Sequence, residues 1–148
     1  MAIIIKYVSA YLMWIVDLGL ASWLFVISRT VFLGLFALSY KGGKLVYAQR
    51  VDFADKVFSI LLGLGWLVFM IIVEAYFRSG VSREDLLKRF AKVTGPVLLG
   101  IFGVDLILFW MQNGGGSDWL RQSVLAAELG IGIILLRLAR FQPKPNSI

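Results

Sequence analysis

Four apolar runs, each about 20 residues long or longer, constrain this chain more than any other feature of its sequence. About 20 apolar residues in a helix cross the hydrocarbon core of a bilayer, which is about 30 Å thick. Of the 148 residues, 59% are hydrophobic and only 16% are charged, whereas ordinary soluble domains are about 25% charged. The sequence therefore predicts an all-α integral membrane protein. We expect one transmembrane domain, residues 1–148, built as a bundle of four transmembrane helices.

The first run is the longest, and it predicts one helix rather than two. It covers Tyr7–Tyr40, carries the charges of Asp17 and Arg29, and contains no Gly- or Pro-rich turn at which the chain could reverse. The sequence KGGK, at 41–44, then ends the helix, because Gly is the usual residue just beyond a helix C-terminus. We expect the first span at about 7–30, with the helix tilted or continuing beyond the lipid.

The remaining apolar runs predict three more spans and a polar tail, at about 57–77, 93–112, 119–139 and 140–148. Pro96 lies near the entry of the third span, where it can kink or break the helix because it lacks a backbone N–H and clashes one turn back. The sequence QNGGGSD, at 112–118, is rich in Gly and polar residues and predicts the clearest loop of the chain.

Two segments between the spans have the pattern of short amphipathic helices at the membrane surface. Leu45–Lys56 mixes apolar with charged residues. Ser82–Lys92 begins with a capping residue, has Asp85 three residues later, and places apolar side chains on one face. We expect both segments to be interfacial helices that lie along the bilayer.

The distribution of basic residues predicts the orientation of the chain in the membrane. The N-terminus, the second loop and the C-terminal tail together carry nine, and the opposite side carries five, with Arg29 left unassigned. The positive-inside rule therefore places both termini in the cytoplasm, and we expect a bacterial-type inner or plasma membrane. The acidic Asp17 in the first run, with no small-residue cleavage site after it, argues against a cleaved signal peptide.

Several classes of chemistry are excluded by composition. The chain has no Cys and no His, which removes thiol catalysis, the common zinc sites, iron–sulfur clusters and His-ligated haem. We expect no cofactor, no metal site and no catalytic residue, because the common hydrolase, P-loop and metalloprotease motifs are also missing. The net charge of +6 lies mostly at the ends of apolar runs, so we expect it to contact lipid head groups and not nucleic acid.

Three acidic residues lie inside predicted spans: Asp17, Asp105 and Glu128. Counted from the cytoplasmic ends of the spans at about 1.5 Å per residue, their depths are roughly 15, 18 and 15 Å. All three are therefore expected near the bilayer midplane, where an acid costs about 2.5–3.5 kcal/mol on insertion scales. Each should face the bundle or a partner, where it meets a cation, a hydrogen-bond donor or water, or holds a proton.

These acids have three interpretations, which the sequence leaves open. They are structural contacts between helices, with Arg29 and Arg121 as candidate partners. Alternatively, Asp17, Asp105 and Glu128 build a proton or cation site, as perturbed acids in a membrane often do. In the third interpretation, the acids face a cation of another subunit.

Small and aromatic residues indicate where the helices meet. Ala126 and Gly130 have the spacing of a helix contact, and Glu128 precedes Gly132 by four residues, so its carboxyl is expected where a neighbouring backbone comes close. Trp66 lies deep in the second run, where an indole packs between helices or lines a pocket.

The function that these features predict is that of a small accessory or scaffold subunit of a larger membrane protein complex, without enzymatic activity. Its partners would be other integral membrane subunits and phospholipids. The grounds are its size, its apolar excess and its lack of catalytic or cofactor-binding residues. The alternative is a small proton- or cation-coupled transporter or channel that acts as an oligomer through its midplane carboxylates. A lipid-handling enzyme with an acid as general base is a third possibility.

Overall fold

The fold consists of four long α-helices. The structure, a computed structural model, describes residues 2–39, 44–80, 85–113 and 119–140. Within these ranges there is no strand, and the helices are α1 (Ala2–Ser39), α2 (Lys44–Gly80), α3 (Leu86–Asn113) and α4 (Trp119–Arg140). All four are long and apolar enough to cross a membrane. The prediction of an all-α chain with four helices of this length and apolar character is therefore confirmed.

Helices α1 and α3 run parallel in a constant register. Leu24 packs where a Cβ on Gly100 would stand, and the side chain of Met111 similarly crowds Gly34. Between these contacts lies the main apolar core, whose buried members are Ile27, Val31, Val97, Ile101 and Leu108. This register decides which polar residues of the two helices meet.

Helices α1 and α2 form an antiparallel pair. Near the first loop, the rings of Phe32 and Phe58 stack with centroids 3.9 Å apart and planes 8° from parallel. At the other end, Ala10 packs against Val73 and Phe77 in a second buried cluster. Helix α2 is the least buried of the four within the described chain, so much of its apolar surface faces outward.

Helices α3 and α4 cross at a pair of glycines. A Cβ on Gly132 would lie 3.0 Å from Leu99 and 3.6 Å from the backbone oxygen of Gly95. A Cβ on Gly95 would likewise lie 3.1 Å from Leu136. Only glycine permits this approach, which is the packing that small residues provide in membrane helices. The close approach expected at Gly132 is confirmed, whereas Gly130 has no atom within 4 Å and is not part of the crossing.

A buried arginine joins the end of α2 to the start of α3. Arg89 is 7% exposed and donates to Asp85 at 2.8 Å, and to the backbone oxygen of Tyr76 and the hydroxyl of Ser79 at 2.6 Å each. Its guanidinium also lies 4.7 Å from the centre of the Tyr76 ring. These contacts satisfy a charge that would otherwise be costly to bury, and they fix the α2–α3 corner.

The boundaries of the helices correct several sequence-based expectations. The predicted single first helix is confirmed, since α1 is unbroken. Leu45–Lys56 is not a separate interfacial helix but the first part of α2, because no Gly or Pro interrupts the helix before the apolar run. The Ser82–Lys92 segment likewise continues into α3 from Leu86 onward, with Asp85 preceding it.

Pro96 does not break α3, which continues through it to Asn113. The carbonyl that loses its helical partner at a proline can be satisfied in a packed bundle. The predicted loop begins later than expected, since Gln112 and Asn113 are still helical. The predicted Ser82 cap, the glycines of this loop and the tail beyond Arg140 lie outside the described residues.

Candidate functional site

The acid on α1 is completely buried against α3. Asp17 has no exposed surface, and its Oδ1 accepts a hydrogen bond of 2.6 Å from the hydroxyl of Thr94, which is itself buried. Its second oxygen, Oδ2, is buried without a hydrogen-bond partner among the described residues. The site is therefore an interhelical hydrogen bond in an apolar surrounding, with one acceptor atom left over.

The local sequence explains why Thr94 can reach this acid. Gly95, the next residue of α3, packs against α4, whereas Thr94 lies on the side of α3 that faces α1. A Thr inside a helix often bonds its own backbone one turn back, but the register of α1 and α3 brings Asp17 within reach instead. Hydrogen bonds of this kind between membrane helices contribute about 0.6 kcal/mol on average, and up to about 1.7 kcal/mol.

The acids on α3 and α4 form a second site, farther along α3 than Thr94. Asp105 lies close enough to Glu128 for their like charges to interact. The Oε2 atom of Glu128 is buried and has no hydrogen-bond partner in the described part of the chain. The ion pairs that the structure describes involve other acids, namely Asp52, Asp55 and Asp85. The second site therefore brings together two acids that form no ion pair with a cation among the described residues.

The two sites do not lie at one depth, contrary to the estimate from the sequence. Thr94, which marks the level of Asp17, precedes Asp105 by eleven positions on α3, a separation of roughly 16 Å along a helix. The estimate failed because it assumed that the apolar runs start at one level, whereas the register that joins Asp17 to Thr94 places Leu86, the start of α3, level with Ser9, well inside α1. The three acids therefore do not meet in one cluster.

Neither candidate arginine pairs with these acids. Arg29 forms a two-pronged ion pair with Asp55 of α2, with both N–O distances at 2.6 Å. Arg121 donates to the side chain of Gln112 at 2.7 Å, and its guanidinium lies 5.9 Å from the centre of the Phe109 ring. Both arginines thus serve contacts near the ends of the helices that face the two predicted outer loops.

An apolar groove of about 470 Å³ opens between α1, α2 and α3. Its lining includes Trp66 and Gly65, and no atom lies within 4 Å of the Cβ position at Gly65. The indole Nε1 of Trp66 is buried with no acceptor among the described residues. The expectation that this indole lines a pocket is confirmed.

The described residues contain no group of three or more acidic, His or Cys side chains that could hold a metal ion. Two carboxyls alone, at Asp105 and Glu128, offer few of the six to eight oxygen ligands that calcium takes, or the six that magnesium takes. The chemistry that remains at these sites is hydrogen bonding, ion pairing and proton binding.

Sequence reasoning missed the residues that pair with the charged groups. Thr94 is a lone hydroxyl inside an apolar run, and Asp55 lies just before the second run. Both residues could have been identified from the sequence as polar groups that need a partner, because each lies in or beside an apolar run. Choosing between partners required the register of the helices, which the sequence pattern does not contain.

Comparison with known proteins gave no match, whether by family models, curated sequences or solved structures.

Proposed function

We propose that this chain is a small, non-enzymatic accessory subunit of a larger membrane protein complex, and that α3 and α4 contact another integral membrane subunit. The partner would supply a hydrogen-bond donor or a basic side chain to Asp105 and Glu128. Membrane insertion is part of the proposal, with both termini in the cytoplasm of a bacterial-type inner or plasma membrane.

The observation that carries the proposal is the buried, unpartnered Oε2 of Glu128 beside a second acid. Polar groups inside a bilayer are retained where they pair with something, since lipid offers no hydrogen bonds. Helix α4 packs mainly on α3 and leaves large apolar side chains such as Val124 and Ile131 half-exposed on either side of Glu128. This arrangement supports a partner helix beside α4.

The test is the native mass of the chain, extracted in mild detergent from its own membrane through a small affinity tag, with mass spectrometry of the co-migrating chains. We expect it to migrate in stoichiometric amounts with larger membrane proteins. Glu128→Gln should reduce the associated partner at least tenfold, which corresponds to about 1.4 kcal/mol. Glu74→Gln is the matched control, because it removes one acid from α2 without touching α3 or α4.

Migration of the unmodified chain as a monomer or a small homo-oligomer would overturn the proposal. Equal loss of partner in Glu128→Gln and Glu74→Gln would show that the acids of α3 and α4 do not select the partner.

The second candidate function is a small proton- or cation-coupled transporter or channel. One observation favours it: Asp17 and Glu128 each keep one buried carboxylate oxygen without a described partner, and such oxygens can bind and release a proton. In liposomes with a pH gradient, this function predicts a flux that Asp17→Asn or Glu128→Gln abolishes while the mass of the assembly stays unchanged. The subunit proposal predicts no flux.

A further inference from the structure

We propose that the apolar groove between α1, α2 and α3 holds one acyl chain of a phospholipid, whose phosphate binds Arg29 at the charged end of the groove. This inference rests on the membrane insertion proposed above, but not on the presence of a partner subunit.

The length of the groove matches one leaflet of a bilayer. Its lining begins at Phe58 on α2 and ends at Phe69, which is roughly 16 Å along a helix. Half of the hydrocarbon core is about 15 Å. On α1 the lining ends at Ser28, one residue before Arg29, so the groove runs from the charged end of the bundle toward its middle.

The groove offers space and a lining that suit an acyl chain. Its volume is about 470 Å³. The lining is almost entirely aliphatic and aromatic, with Ser28 as its one hydroxyl-bearing residue. An acyl chain therefore fits the groove in both size and chemistry.

At the charged end of the groove, the cation of an ion pair faces outward. In the Arg29–Asp55 pair the arginine side chain is 47% exposed and the aspartate 21%. The pair uses two N–H groups of the guanidinium, out of the five that an arginine carries. Lys56 pairs with Asp52 of its own helix and lies on the side of α2 away from the groove-lining residues. A phosphate at the lipid–water boundary can accept hydrogen bonds from the remaining N–H groups of Arg29.

The first experiment counts lipids that remain bound to the purified full-length chain in native mass spectrometry. Micelles contain equal amounts of phosphatidylglycerol and of diacylglycerol with the same acyl chains. We expect one phosphatidylglycerol molecule to stay bound at collision energies that remove all other lipid, and at least fivefold less retained diacylglycerol. No retained lipid, or equal retention of the two lipids, would overturn the proposal.

Two substitutions locate the binding site. Gly65→Phe places a ring at the groove, at a position where no atom lies within 4 Å of the Cβ, and it should abolish the retained lipid. Gly19→Phe is the matched control, because that position is also open but lies outside the groove lining. Arg29→Gln should weaken the preference for phosphatidylglycerol, whereas Lys56→Gln, on the side of α2 away from the groove, should not. Unchanged retention in Gly65→Phe would place the lipid elsewhere and contradict the proposal.

The result is separable from the subunit proposal. A chain that migrates alone but retains one phospholipid supports this inference and contradicts the subunit proposal. A photo-crosslinker at Leu61, which lines the groove, should label phospholipid in membranes. Labelling of a transmembrane segment of another protein there would show that a helix covers the groove, and would overturn the inference.

Discussion

The interface of α1 with α3 and the interface of α3 with α4 both place acidic side chains between apolar helices, but they treat the acid differently. At the first, Asp17 is fully buried and accepts a hydrogen bond from Thr94. At the second, Glu128 has a buried oxygen without a described partner and lies beside another acid, Asp105.

This difference separates acids whose hydrogen-bond donor belongs to the same chain from acids that have no described donor in it. Where the donor belongs to the same chain, its hydrogen bond to the acid joins two helices and holds them in register. An acid that receives no donor from its own chain, and that lies on a helix with exposed flanks, needs a partner from outside or a proton. Substitution of the acid at the first interface should therefore have a different effect from substitution of the acid at the second.

The largest expected effect comes from forcing the second interface apart. Gly132→Leu places a side chain where a Cβ alone would already meet Leu99 at 3.0 Å and the backbone near Gly95. We expect a loss of about 2–3 kcal/mol in the free energy of unfolding, as for other overpacked sites, measured by thermal unfolding in detergent. Gly130→Leu on the same helix is open to its surroundings and should change stability by less than about 0.5 kcal/mol. Equal losses in the two variants would contradict the described crossing.

A smaller effect measures the bond at the first interface. The variants Asp17→Leu and Thr94→Val, alone and combined, should give a coupling free energy of about 0.6–1.7 kcal/mol. The control cycle combines Asp17→Leu with Ser22→Ala, because the Ser22 hydroxyl bonds its own helix at Leu18, and it should show no coupling. Additive effects of the first pair would mean that Asp17 and Thr94 do not interact.

The smallest effect is expected for Glu128→Gln in the isolated chain. The substitution keeps the shape of the side chain and removes no hydrogen bond that the described chain makes, so stability should change by less than about 0.5 kcal/mol. The measurement is the same thermal unfolding, without partner proteins. A loss above about 1 kcal/mol would show that this chain itself satisfies Glu128, and that the two interfaces do not differ as described.

The helical fold was predictable from the sequence, but the ends of its helices were not. Apolar runs separated by Gly-rich segments are a strong signal of spans, and all four helices follow them. The junction at Lys56 carries no breaker, so α2 continues from Lys44 straight into the apolar run. Amphipathic character alone did not separate an interfacial helix from the first turns of a longer one.

The acidic residues of the site were also predictable, but their partners were not. Asp17 and Glu128 stood out because charges are rare in apolar runs. The hydrogen bond to Thr94 joins residues 77 positions apart and depends on a helix register that contacts such as Gly34 with Met111 set. An error of a few residues in where a helix begins therefore misplaces an acid by more than a helical turn.

Photo-crosslinking in intact membranes tests most directly whether the second interface faces a partner. One crosslinker replaces Ile131, which shares the face of Glu128 and is 51% exposed, and the other replaces Val16, which is 50% exposed beside Asp17. The account predicts that only position 131 crosslinks to a transmembrane segment of another protein, and that this segment carries a basic residue or a hydrogen-bond donor at the level of Glu128. Crosslinks to lipid alone at position 131, as at position 16, would contradict it.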